Sequence, residues 1–260
     1  MITSRDNPTI KEIIKLQKSA KQRREAGLFT VEGARLCRDA ALSGAKINKL
    51  VYTKQAMEKY SDDFKLISDS GCEKIEVSTD IFLKISDTKS PQGLLCVISM
   101  LDKSILIDTI ENTGRYVALE NISDPSNLGT ILRTAEALGL DGIILSEDCC
   151  DIYSPKAARG SMGAVFRMKF CIAENFSELI DKLTKSGIKT YAATPRDAVS
   201  VTELEFKSGV VLIGNEGAGL TDKTISACSQ RIKIPMLGRA ESLNASAAAA
   251  ILMWEFIRSE

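Results

Sequence analysis

The chain contains no histidine. Ser-His-Asp and Cys-His nucleophilic chemistry and histidine-held metals are therefore excluded. Any reaction must run on Arg, Lys, carboxylates, amides, hydroxyls, or the reactivity that a ligand brings. The cysteines, at 37, 72, 96, 149, 150, 171 and 228, show no metal-ligand spacing, and Cys149-Cys150 is too tight for a zinc site without partners. No metal is expected. Their odd number, with no recognisable signal peptide, fits reduced thiols and a cytoplasmic location. No uninterrupted apolar run approaches roughly 20 residues, so no membrane-spanning helix is expected. Net charge is also missing: 34 Lys and Arg balance 34 Asp and Glu.

What is present is ordinary for a soluble globular protein, with 44% hydrophobic and 26% charged residues among 260. That length holds one large domain or two modest ones. The charge is unevenly spread. Residues 1–100 carry 17 basic against 13 acidic residues, and the remainder 17 against 21. The excess is concentrated early, where Arg5, Lys11, Lys15, Lys18, Lys21, Arg23 and Arg24 face only Asp6, Glu12 and Glu25. Such a segment suits phosphate contacts, and by itself it suits an ordinary solvated helix face better.

The pattern predicts a helix over 8–26, with Pro8 in its first turn, Ile10, Ile13, Ile14 and Leu16 as an apolar stripe, and Gly27 as its stop. Strand 28–33, helix 34–43 and strand 46–53 follow, then short extended segments at Ile67 and Ile75–Val77. Strand 94–99 comes after the turn Pro91-Gln92-Gly93. A first α/β domain is expected over 1–99, a linker over 100–114 and a second domain over 115–260. In the second, strands at 116–120, 142–146, 168–173, 189–193, 210–214 and 232–236 alternate with helices near 130–138, 155–160, 176–186, 221–228 and 243–258. Short apolar runs alternating with helices argue for a parallel sheet covered on both faces. The alanine-rich stretch 245–250 suits close helix packing.

Ligands in such sheets bind beyond the carboxyl ends of strands, and polar segments stand at three of those places. The first, NISDPSNLGTILR (121–133), sets Asn121, Asp124, Pro125 and Asn127 in a loop, with Arg133 on the following helix. By itself it also fits an Asx-rich turn and helix cap with a surface arginine. The second, LIGNEGAGL (212–220), is Gly-x-x-Gly-x-Gly late in the chain, so a dinucleotide fingerprint is a poor match. A loop offering backbone groups to a small ligand and a flexible turn both remain open. The third, IPMLGRAESLNASAA (234–248), opens the last helix, where Ser242 could act simply as the cap, with Asn244 in the first turn.

Taken in order, the three segments resemble the motifs of the SpoU (TrmH-like) branch of the SPOUT RNA methyltransferases. SRDNPTIKEIIKLQ (4–17) and FTVEGARL (29–36) resemble the openings of SpoU-type 23S rRNA methyltransferases, whose N-terminal domain is similar to kink-turn-binding ribosomal proteins. The fold implied is α/β: a C-terminal parallel-sheet trefoil-knot domain preceded by a smaller α/β RNA-binding domain. The resemblance implies S-adenosylmethionine as cofactor, with Thr194, Gly214, Asn215, Gly217, Ile234, Met236 and Leu243 around it. It casts Asn127, Arg133, Glu216, Ser242 and Asn244 as active residues. The segment SPKAARGSMG (154–163) resembles a family segment beside the substrate, so Arg159 is expected to contact phosphate. Arg5, Lys15, Arg23 and Arg24 become candidate RNA contacts. A homodimer packed through the knot region is implied, with an active site drawing on both subunits.

The implied reaction is methyl transfer to a ribose 2′-OH, of 23S ribosomal RNA in preference to tRNA, because tRNA-directed relatives commonly lack the first domain. Transfer RNA as substrate is the alternative within the same chemistry. A non-catalytic RNA-binding protein with a retained cofactor pocket is the alternative outside it.

Overall fold

In the computed structural model the described residues are 1–101, 109–205 and 207–258. Residues 102–108 of the expected linker lie outside them. In chain order the first elements are α1 (Pro8–Lys18), α2 (Ala20–Ala26), β1 (Leu28–Glu32), α3 (Ala34–Leu42), β2 (Ile47–Tyr52), α4 (Lys54–Lys59), α5 (Ser61–Ser68), β3 (Glu73–Glu76), α6 (Thr79–Ile85) and β4 (Leu94–Ser99). Then come β5 (Arg115–Leu119), α7 (Pro125–Ala137), β6 (Gly142–Ser146), α8 (Pro155–Gly160), α9 (Ala164–Arg167), β7 (Phe170–Ala173), α10 (Phe176–Lys185), β8 (Thr190–Ala193) and β9 (Val199–Ser200). The last are β10 (Gly209–Ile213), α11 (Asp222–Ala227), β11 (Gln230–Lys233) and α12 (Ala245–Arg258). Packing divides them into two units, Met1–Leu101 with Asp151–Arg167, and Asp102–Cys150 with Met168–Glu260.

The first unit is built on a four-stranded sheet in the order β1-β4-β2-β3, antiparallel except for β2 and β3. Ile10, Ile13 and Leu16 of α1 and Ile81, Phe82 and Ile85 of α6 pack against Val51, Ile75, Leu95 and Val97 of the sheet. The expected helix over 8–26 is two helices. Ser19 is extended, with φ −130° and ψ 116°, and its side chain accepts the Gln22 N–H to start α2. Ile67, expected to be extended, belongs to α5, because one isolated apolar residue carries no period. The segment containing α8 and α9 packs through Tyr153 and Phe166 on Phe29, at ring separations of 5.0 and 6.2 Å.

The second unit holds a seven-stranded sheet in the order β7-β6-β5-β10-β8-β11-β9, with every pair parallel. The central strands β5, β6 and β10 are apolar almost without interruption because both of their faces are covered. Tyr116, Ala118, Ile144, Val210 and Leu212 meet Phe176, Ile180 and Leu183 of α10, with Ile225 and Ala227 of α11 packed alongside. Alternate residues face the other way, where α7 and α12 pack on the sheet and on each other. Strand β11 ends at Lys233, short of the expected 236. This releases Ile234, Pro235 and Met236 from the sheet.

Candidate active site

The carboxyl ends of β5, β10, β8 and β11 are neighbours in the sheet, so the loops that leave them are gathered at one edge. After β5, Asn121 takes a left-handed conformation, φ 54°, which short polar side chains tolerate. Its N–H donates to the Ser146 hydroxyl at 2.9 Å. Asp124 then caps α7 by accepting the Ser126 N–H at 2.9 Å, so the helix begins at Pro125, five residues ahead of the expected 130.

After β10 the chain folds into a tight loop. Asn215 and Gly219 exchange backbone hydrogen bonds at 3.1 and 3.0 Å. The Asn215 side-chain oxygen accepts from the N–H groups of Gly217 and Ala218, and its amide donates to the Asn121 carbonyl at 2.8 Å. Gly214 is obligatory here, because a Cβ would overlap the backbone of Gly219 and Leu220.

Glu216, at the tip of that loop, reaches back to the first segment. Its carboxylate accepts from the Asn127 amide at 2.8 Å, the Ser123 hydroxyl at 2.9 Å and the Ser123 N–H at 3.2 Å. Burial alone would raise its pKa. The bond from Asn127 and those from its own N–H and from Ser123 outweigh burial and hold the carboxyl at about 2. Glu216 is thus a fixed anion near neutral pH, unsuited to accepting a proton.

Asn127, itself buried, accepts with its oxygen from the Asn244 amide at 3.1 Å. The Asn244 oxygen in turn accepts from the N–H groups of Ser246 and Ala247, at 2.9 and 3.4 Å. Asn244, not Ser242, is therefore the cap of α12, and the helix starts at Ala245. The result is one relay, Glu216–Asn127–Asn244, with a member from each of the three sequence segments.

Beside the relay lies a cavity of about 760 Å³. Thr194, Gly214, Asn215, Gly217, Ile234, Met236 and Leu243, the seven residues expected around a cofactor, all line it, as do Glu216 and Ser242. Apolar walls come from Ile213, Leu220, Ile225, Ile232 and Leu252, and both signs of charge from Arg196, Lys233, Asp222 and Glu241. An apolar slot with backbone groups and mixed charge at its edges fits a zwitterionic nucleoside. Arg133 is not among the lining residues. It is exposed on α7, six positions beyond Asn127, which places it about 120° away around the helix axis. Among the described residues it makes no ion pair.

The expected RNA contacts divide. Arg5, Lys15 and Arg24 are exposed. Arg159 is half-exposed and pairs with Asp87 at 3.2 Å. Arg23 is a correction: it is only 4% exposed, its guanidinium bonds Asp151 at 2.6 Å and the carbonyls of Leu16 and Gln17, and it has no face left for phosphate. Sequence reasoning also missed Ser123 and Ser146, whose hydroxyls look like ordinary loop residues, and Glu120, which ends an apolar run.

Known proteins resemble this chain over nearly its whole length. A model of the SpoU rRNA Methylase family matches residues 114–254, and one of an MRM3-like substrate binding domain matches residues 7–96. The 23S rRNA (guanosine(2553)-2′-O)-methyltransferase RlmP of Bacillus subtilis is 29% identical, with 97% of each chain covered. A 23S rRNA (uridine(2479)-2′-O)-methyltransferase of Streptomyces viridochromogenes is 28% identical over 99% of this chain and 91% of its own. Among solved structures, an AdoMet-bound rRNA methyltransferase from Sinorhizobium meliloti superposes with a TM-score of 0.85 at 31% identity, covering 99% of this chain and 97% of that one. The SpoU methyltransferase AviRb from Streptomyces viridochromogenes, in complex with AdoMet, gives 0.88 at 26% identity, with 97% of each covered. With more than half of its length matched by the family model, and its three polar segments joined in one relay, the chain belongs to the SpoU rRNA methylase family.

Proposed function

We propose that this protein binds S-adenosylmethionine in the cavity beside Glu216 and methylates a ribose 2′-OH of ribosomal RNA. The observation that carries the reading is the Glu216–Asn127–Asn244 relay, whose Glu216 end lines a cavity of nucleoside size. The cofactor, when bound, supplies an activated methyl on a sulfonium. What remains for the protein is to align the acceptor hydroxyl, exclude competing positions and take charge of one proton.

The seven cavity residues named above hold the cofactor, Gly214, Ile234 and Leu243 largely through backbone groups. The relay fixes Glu216 as an anion beside the cavity, where it favours a neighbouring positive charge, and keeps Asn244 in register with it, while Ser242 lines the same cavity. Arg133 binds the RNA phosphate and the developing alkoxide. A guanidinium with a pKa above about 12 stabilises negative charge better than it accepts a proton. Its position off the Asn127 face supports a homodimer in which Arg133 of one protomer serves its partner's cavity. Helix α12 supports the same reading, since it exposes Ile251 and Trp254 at 38% and 51%.

The first unit, with Arg5, Lys15, Arg24 and Arg159 on its surface, holds RNA by shape and backbone charge. The two relatives named for 23S ribosomal RNA favour that substrate over tRNA. Calorimetric titration with S-adenosylhomocysteine tests the cofactor site, and a wild-type protein with no saturable affinity would overturn the reading. Mass mapping of 2′-O-methyl groups in RNA from a deletion strain tests the substrate. The expected result is loss of one ribosomal methyl, and an intact rRNA map with a missing tRNA methyl would reassign it.

A further inference from the structure

Glu120 follows β5 directly and is only 8% exposed. A carboxylate taken out of water needs donors, and among the described residues they come from the far end of the loop that lines the cavity, on Thr221 and Thr224. It accepts from the Thr221 N–H at 2.8 Å, the Thr221 hydroxyl at 2.9 Å and the fully buried Thr224 hydroxyl at 2.6 Å. Helix capping does not require it, because the Thr221 hydroxyl already accepts the Thr224 N–H. Its neighbour Asn121 grips the other end of the same loop, through its carbonyl and the Asn215 amide at 2.8 Å. Two consecutive residues therefore hold both ends of the segment from Asn215 to Thr221. That segment supplies much of the cavity wall, and Asp222 and Ile225 just beyond it also line the cavity.

We propose that Glu120 is a positioning residue for the cofactor: its carboxylate clamps Thr221 and Thr224 and so fixes the shape of the 215–221 loop around the ligand. The inference rests on the cofactor reading given above. Glu120 touches neither cofactor nor RNA, so its effect falls on cofactor affinity and not on the chemical step.

The test is titration of the full-length protein with S-adenosylhomocysteine, alongside initial rates. Glu120→Gln keeps the size of the side chain but removes its charge and one acceptor: with its oxygen on the Thr221 N–H, its amide N–H₂ takes the place that now accepts from both the Thr221 and Thr224 hydroxyls. It is expected to raise the S-adenosylhomocysteine Kd about tenfold while kcat at saturating cofactor stays within about twofold. Amide hydrogen exchange over residues 215–221 is expected to quicken, with the rest of the sheet unchanged. Thr224→Val, which removes one donor at constant shape, is expected to raise Kd about threefold and decides the matter where Glu120→Gln does not fold. Kd values within twofold of wild type in the folded variants, or a loss confined to kcat, would overturn the role of Glu120. A wild-type protein that itself fails to bind S-adenosylhomocysteine would instead overturn the cofactor reading.

Discussion

The Asn244 carboxamide donates to the Asn127 carboxamide at 3.1 Å, across 117 residues of chain. Each amide uses both of its ends: Asn127 donates onward to Glu216, and Asn244 accepts from the first turn of α12. A carboxamide is suited to this place because it is donor and acceptor at once without titrating. Replacing Asn127 with Asp puts a carboxylate against the Glu216 carboxylate. The methylation kcat/KM is expected to fall at least about 100-fold, and the pKa of Glu216 to rise. Steady-state kinetics with Asn127→Asp beside Asn127→Ala check this; equal rates in both variants would show that charge is irrelevant.

Glu216 gives the fold a signature in acid. Its carboxyl is held at about 2, below the ordinary 4.5. Its contribution to stability is therefore complete above about 4.5 and fades as pH falls through about 2. Glu216→Gln should lose the contribution throughout and show a shallower decline in that window. Urea midpoints measured at several pH values read this out, and superimposable pH curves would contradict it.

Gly214→Ala forces the loop backbone apart, since the new methyl meets Gly219 and Leu220 main-chain atoms that cannot rotate away. The cost is expected at about 1–3 kcal/mol, with S-adenosylhomocysteine affinity lost more severely than the melting temperature suggests. Calorimetry and thermal melts on one preparation separate the two effects.

Arg23 and Arg24 are neighbours in sequence with opposite fates. Arg23→Ala strands Asp151 and two backbone carbonyls, and is expected to destabilise by about 3 kcal/mol. Arg24→Ala should leave the melt unchanged and reduce the salt dependence of RNA binding by about one phosphate contact. Denaturation curves and binding isotherms at several salt concentrations distinguish them.

Arg133→Lys addresses the proton. If Arg133 stabilises charge, the lysine variant is expected to be slower at every pH, with no new ionisation. A restored rate appearing with a pKa near 10, that of lysine, would assign Arg133 as the base.

Much of this was readable from the chain itself. The apolar runs of β5, β6 and β10 announced a sheet buried on both faces, and the residues around the cavity could be named because the three polar segments resemble the SpoU motifs. Pairings were not readable. That Arg23 is consumed by Asp151 depends on a segment 128 residues away, and no local pattern shows it. Ser19 breaks an otherwise continuous helical stripe because a serine can cap as readily as it can continue. Glu120 looked like the polar end of a strand, and only the arrival of Thr221 and Thr224 gives its carboxylate a task. The amide relay was invisible for the same reason: asparagines advertise turns, and their long-range partners leave no mark on spacing.

The position of β10 has a consequence for synthesis. This strand lies between β5 and β8, yet it is made after both. Until residue 213 has left the ribosome, the nascent sheet has a gap at its centre with two unsatisfied parallel borders. Pairing across such a gap is slow and vulnerable to association with other chains. The unit must therefore finish folding after most of its length has been translated.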